Sequence, residues 1–149
     1  MTEILDLMTM THKALRAVAE ESMRRHGLHL GQNLVLAALW ERDGRTPGEL
    51  AAALNVTTPT IVKMATRMTA ADLLVRRRDT ADNRLVRLHL TEKGRALREP
   101  VLTERAELER RITEGLTGVE RDHLVSALGK ILGNVRALGA GPVDHTAEV

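Results

Sequence analysis

Cysteine, phenylalanine and tyrosine are missing from these 149 residues, and tryptophan occurs once. Without thiols there is no cysteine redox sensing and no thiolate metal site. Without aromatic platforms, single-stranded nucleic acid, whose bases stack on such side chains, is a poor fit. No apolar run approaches the ~18 residues that a membrane span requires. The first residues, Met1-Thr2-Glu3-Ile4-Leu5-Asp6, lack the basic start and apolar stretch of a secretory signal, so a cytoplasmic location is expected. Catalytic signatures are missing too: there is no Gly-rich phosphate loop, no nucleophile elbow and no paired-acid motif. Neither an enzyme nor a bound cofactor is expected.

What is present suits one soluble globular domain with a real core: 43% hydrophobic and 28% charged residues. The net charge of +2 hides an asymmetry. Between residues 58 and 98 stand Lys63, Arg67, Arg76, Arg77, Arg78, Arg84, Arg87, Lys93, Arg95 and Arg98 against only Asp72, Asp79, Asp82 and Glu92. That segment carries +6 and the rest −4. A charge run is often just a solvated face, but one concentrated on a helix and a hairpin suits a phosphate surface. The histidines do not make a convincing metal set. His26 and His29 straddle Gly27 in an expected loop, and His12, His89, His123 and His145 are scattered.

Helical spacing of Ile4, Leu7, Met8, Leu15, Val18 and Ser22/Met23 predicts a first helix over 4–25, ended by Gly27. A second, over 31–42, carries Leu34, Leu36, Ala37, Leu39 and Trp40 around much of its circumference and belongs in the middle of the fold. Thr46-Pro47-Gly48-Glu49-Leu50-Ala51 follows: an N-cap, a proline at the first helical position and a capping-box glutamate. This short helix, 47–54, buries Leu50, Ala51 and Leu54, and Asn55-Val56-Thr57 is the turn after it. Thr58 is then expected to cap a fourth helix reaching about residue 71, with Pro59 at its first position. Ile61, Met64, Ala65 and Met68 recur on its inner face, leaving Thr58, Pro59, Val62, Lys63, Thr66 and Arg67 outside.

Two strands are expected next, over 74–78 and 84–90. In the second, Val86, Leu88 and Leu90 alternate with Arg87 and His89, and Asp79-Thr80-Ala81-Asp82-Asn83 between the strands is rich in turn formers. A hairpin this basic behind a helix–turn–helix reads as a wing. A long helix over 92–115 should bend near Pro100, which cannot bond the Ala96 carbonyl. Thr117-Gly118-Val119-Glu120 reads as a capping box opening a last helix, with Leu124, Leu128, Ile131, Leu132 and Val135 on one stripe. Residues 139–149 have little to bury and read as a frayed tail.

In this order and spacing the pieces resemble the MarR family of bacterial winged-helix regulators over nearly the whole chain. The resemblance rests on His29-Leu30-Gly31-Gln32, Thr46-Pro47-Gly48-Glu49-Leu50-Ala51, Pro59-Thr60-Ile61-Val62-Lys63, Asp79-x-x-Asp82-x-Arg84, Leu90-Thr91-Glu92-Lys93-Gly94 and Leu116-Thr117-Gly118-Val119-Glu120-Arg121. Two positions depart from it. Asp72 stands where members commonly carry Gly, so the exit from the recognition helix is expected to differ. Asn83 stands where many have a second wing arginine.

The resemblance implies a mainly α fold with a small β wing: a winged helix–turn–helix plus a helical dimerisation layer. It divides the chain into an N-terminal dimerisation helix (1–30), a DNA-binding lobe (31–91), C-terminal dimerisation helices (92–138) and the tail (139–149). The implied partners are double-stranded DNA, a second copy of the chain and an unidentified small-molecule effector. The implied activity is transcriptional regulation, with repression the expected mode.

The expected contacts follow from the helix and the wing. Lys63 and Arg67 face out from the recognition helix with Thr66. Val62 is either an ordinary exposed valine or a contact to a thymine methyl group. Thr58, Pro59 and Thr60 lie at the helix N-terminus, where free N–H groups favour phosphate, although capping alone also explains Thr58. In the wing, Arg84 is expected in the minor groove with Asp82 holding its guanidinium, and Arg76, Arg77 and Arg78 supply phosphate contacts where the strand lets them face DNA. The competing readings are a winged-helix module for protein–protein contact, against which the basic segment counts, and a metal-responsive regulator.

Overall fold

The computed structural model describes residues 2–139. The expected tail at 139–149 therefore lies outside the described residues except for Gly139. Seven helices and one two-stranded sheet follow in the order α1 (Glu3–Arg24), α2 (Gln32–Glu41), α3 (Pro47–Leu54), α4 (Thr58–Ala70), β1 (Leu74–Arg78), β2 (Val86–Leu90), α5 (Glu92–Ala96), α6 (Arg98–Ile112) and α7 (Gly118–Ala137).

Local chemistry sets most of these boundaries. Thr46 caps α3 in a complete capping box: its hydroxyl accepts from the Glu49 N–H while the Glu49 carboxylate accepts from the Thr46 N–H. α4 corrects the expected cap by one residue. The side chain of Thr57, not Thr58, accepts from the Thr60 N–H, because Thr57 is the residue in extended conformation three positions before that free donor. Pro59 thereby moves to the second helical position, where its missing N–H still costs nothing. Thr117 caps α7 by accepting from the Glu120 N–H.

Three further differences have physical causes. β2 starts at Val86 rather than Arg84, because Asp82 draws the Arg84 N–H and side chain into the turn. The helix expected over 92–115 is two helices broken at Leu97 and ending at Ile112. Pro100 leaves the Ala96 carbonyl without its donor, and the chain breaks there instead of bending smoothly. Asp72, finally, adopts the left-handed conformation (φ 61°) that glycine takes most cheaply. The Leu73 N–H returns to the Met68 carbonyl and the Asp72 N–H to Thr69, so the aspartate makes the helix stop that a glycine would make.

The core belongs to the helix–turn–helix and its sheet. Leu36 and Leu39 of α2, Leu50 of α3, Ile61 and Met68 of α4, Leu74 of β1 and Leu88 of β2 are all fully buried. Each such side chain contributes roughly 1.5–3 kcal/mol on leaving water. β1 and β2 pair antiparallel from Leu74↔Leu90 to Arg78↔Val86, and Arg45 bridges to Leu88 as a short third rung. Gly94 lets α5 sit against this core: a Cβ there would lie 2.4 Å from the Leu73 carbonyl oxygen. The Trp40 indole N–H donates to the Gly94 carbonyl at 2.9 Å, fixing α2 to the same spot.

Outside the lobe burial is sparse. α1 buries only Ser22 and Met23, α6 only Val101, and α7 none of its residues. Leu124, Leu128, Leu132 and Val135 lie exposed along α7, as Ile4, Leu7, Met8 and Val18 do along α1. None of the described helices is long and apolar enough to cross a membrane.

Candidate nucleic-acid interface

α4 is pinned by its inner face and offers its outer one. Ile61, Ala65 and Met68 sit in the core with Met64 packed beside them, so Thr58, Pro59, Val62, Lys63, Thr66 and Arg67 are left exposed. Thr60 departs from expectation. It is only 3% exposed, its hydroxyl lies 2.9 Å from the Thr57 hydroxyl, and its N–H is occupied by the cap. It braces the helix start and presents no free donor there.

The wing meets α4 directly. Arg76 donates from Nη2 to the Thr66 Oγ1 at 2.7 Å, and Thr66 donates onward to the Val62 carbonyl. Alternation along β1 puts Arg76 and Arg78 on one face and Arg77 on the other. Arg78 donates to the Asn83 carbonyl at 2.9 Å and so closes the wing turn. Arg77 lies exposed opposite Arg87. The three consecutive arginines thus have three different settings.

At the tip, Arg84 is 89% exposed and yet ordered. Its Nε and Nη2 donate to the two oxygens of Asp82 at 3.0 and 3.1 Å, a planar fork matched to a carboxylate. That guanidinium, helped by the Arg84 N–H, holds the Asp82 carboxyl below its ordinary pKa, and the carboxylate in turn raises that of Arg84. A cation is held forward at the hairpin's end with its charge intact at any physiological pH.

Sequence reasoning passed over the residues that join wing to helices. Arg87 pairs with Asp79 and donates to the Gly44 carbonyl, while Asp43 accepts from the Leu90 N–H at 2.9 Å. Arg87 had stood out only as one more cation. No local signal marks it, because its partner carbonyl lies 43 residues away.

A short capped helix fixed on its inner side, followed by a basic hairpin bonded to its outer side, defines a winged helix–turn–helix of the MarR type; solved MarR-family regulators share the fold. The family model of the transcriptional regulators SarA/Rot matches residues 17–100, and the chain belongs to that family. The family and the homologues are transcriptional regulators, not enzymes. Over 115 residues the chain is 30% identical to the uncharacterised HTH-type transcriptional regulator YsmB of Bacillus subtilis (strain 168), covering 72% of this chain and 79% of that one. Over 76 residues it is 36% identical to the HTH-type transcriptional regulator TtmR of Methylorubrum extorquens (strain PA1); this match takes in 51% of the chain and spans only 39% of TtmR. The structure of Streptococcus pneumoniae FabT in complex with DNA superposes with a TM-score of 0.80 over 92% of this chain and 98% of that one. At 20% identity this likeness shows the fold alone.

Proposed function

We propose that the chain acts as a homodimeric, sequence-specific repressor that occludes a promoter by binding an inverted-repeat operator in duplex DNA. α4 enters the major groove, where Lys63 reaches base edges and Arg67 and Thr58 meet phosphates, while Thr66 holds Arg76 against the helix. Arg84 enters the adjacent minor groove, attracted by its negative potential. The observation that carries this reading is the 2.7 Å bond from Arg76 to Thr66, which makes wing and recognition helix one surface. Arg77 is the β1 arginine best placed for phosphate, since Arg76 and Arg78 are engaged within the protein. Thr60, being buried, acts through the helix start.

Dimerisation is supported by α7, which buries no residue of its own chain and carries an apolar stripe that calls for cover. In this reading residues 1–30 and 92–138 form the dimer layer and 31–91 the DNA-binding lobe. Two copies of α4 related by a two-fold axis then reach successive major grooves about 34–36 Å apart. An effector is supported by a cleft of about 600 Å3 between α1 and α4, whose lining includes Leu15, Leu28 and Met64 and the cations Arg24, Lys63 and Arg67, with Glu20 its one acid. Such a lining suits a small anion with an apolar body.

Selection of bound genomic fragments, followed by salt titration on the recovered operator, tests the proposal. Lys63→Ala should weaken binding by about 1–3 kcal/mol and relax preference at one base pair per half-site. Arg84→Ala should weaken binding and flatten its salt dependence, leaving the major-groove preferences intact. Recovered sites without two-fold symmetry, or an Arg84→Ala protein matching the parent at every salt concentration, would overturn it.

A further inference from the structure

Arg87 does something for which a strand residue on a basic hairpin has no local reason. Its register partner is Arg77, and like charges directly opposite each other on a sheet repel. The Arg87 guanidinium turns instead to two acceptors, with a third carboxylate close by, on three different segments. Nε and Nη2 both reach the Asp79 Oδ2 at 3.1 Å, at the start of the wing turn. Nη1 donates to the Gly44 carbonyl at 2.9 Å, in the loop between α2 and α3. The same Nη1 lies 3.8 Å from the Glu49 Oε1, and Glu49 is the carboxylate that completes the α3 capping box.

Asp79 is the other half of this link. Its Oδ1 accepts from the Ala81 N–H, and its own N–H donates to the Leu85 carbonyl, so it organises the loop from which Arg84 projects. The Ala81 N–H and then the Arg87 guanidinium hold its carboxyl below the ordinary range, so it stays charged. The other hydrogen bonds of the loop 79–85 end within the hairpin, so among the described residues the loop's own link to the rest of the lobe runs through Arg87, beside the Arg76–Thr66 and Leu90–Asp43 bonds that hold the strands.

We propose that Arg87 is a positioning residue for DNA recognition: clamped between Asp79 and the Gly44 carbonyl, it sets the angle of the wing so that Arg84 and the α4 face engage one duplex together. This rests on the minor-groove reading of Arg84. The entropic cost of ordering a long hairpin is met before binding, which raises affinity without adding a contact.

Asp79 separates this from simple electrostatics. It is an anion on a DNA-facing element, so Asp79→Asn should tighten binding if only charge matters. The brace requires the opposite sign. Asparagine can still accept from the Ala81 N–H, so the loop itself survives the change. Arg87→Lys is the companion variant: it conserves charge and loses the forked link.

The experiment is operator binding by fluorescence anisotropy across a salt series, using the full chain. The variants are Asp79→Asn, Arg87→Lys and Arg84→Ala, with the first two also combined with Arg84→Ala, and thermal melting confirms that each is folded. Asp79→Asn and Arg87→Lys should each weaken binding about three- to tenfold and lower the salt slope toward that of Arg84→Ala; in the Arg84→Ala background their effects should vanish. If Arg84→Ala weakens binding but Asp79→Asn tightens it, or if the effects simply add, the brace is overturned and the minor-groove reading stands. If Arg84→Ala itself changes nothing, the minor-groove reading falls and the brace falls with it.

Discussion

The winged lobe and the terminal helices are made from the same kinds of residues and use them in opposite ways. In the lobe, Leu36, Leu50, Ile61 and Leu88 converge from four elements and leave water completely. Along α7, leucines at 124, 128 and 132 repeat at intervals of four and remain on the surface. Both patterns are amphipathic; only the first finds its cover within one chain. Hydrophobic patterning therefore states that a face will be buried and is silent about which chain buries it.

The sharpest way to break that comparison is to charge the α7 stripe. On the single chain Leu128→Asp alters an exposed position and should change stability by less than about 0.5 kcal/mol. If the stripe packs on a second copy, each subunit instead buries an unpaired charge at about 3–5 kcal/mol. Sedimentation should then show a shift from twice 16.4 kDa to 16.4 kDa, with loss of operator binding. A parent protein that already sediments as a monomer would refute the dimer.

Next in size is Gly94→Ala, which attacks the lobe from inside. The new Cβ would meet the Leu73 carbonyl at 2.4 Å, and backbone must move to admit it. Urea denaturation should show a loss of about 1–3 kcal/mol with the oligomeric state unchanged. Equal stability would mean that α5 is not seated as described.

Inside the terminal region, the contact between the end of α1 and α6 responds to pH. Glu104 of α6 meets His26, just beyond α1, and Arg25 lies 3.2 Å from its other oxygen. Burial pushes the Glu104 carboxyl up, but hydrogen bonds from Ser22 and His26 and the Arg25 charge prevail and leave its pKa lowered. A lowered folded-state value means the contribution is present above the ordinary glutamate pKa and is lost as pH falls through the folded one. Acid titration of stability should fall below that range, and Glu104→Gln should flatten the fall. An unchanged acid limb would show that α1 and α6 are held together by other groups. The smallest effect is expected at Asp72→Gly, which relieves a left-handed residue and should be neutral or stabilising by up to about 1 kcal/mol in thermal melts.

Much of the molecule was legible locally. Thr46 with Pro47 and Glu49 announces α3 because the cap, the proline and the reciprocal carboxylate all act within four residues. The inner face of α4 and the alternation in β2 are equally local, being consequences of helix and strand period. Two of the errors sit where two local solutions compete: Thr57 and Thr58 are equally good caps on paper, and Arg84 is as plausible in a strand as in the turn that Asp82 gives it.

By itself, then, the sequence determined most of the elements and caps, the apolar faces and the basic segment, since each depends on neighbours a few residues away. Tertiary structure alone decided that Thr60 turns inward, that Arg76 bonds Thr66 while Arg77 stays open, and that Arg87 spans 43 residues to reach Gly44. The physical reason is one of range. A helix cap or a strand face is set by bonds between near neighbours, whereas the partner of a long charged side chain is whatever acceptor the packed core carries to within its reach.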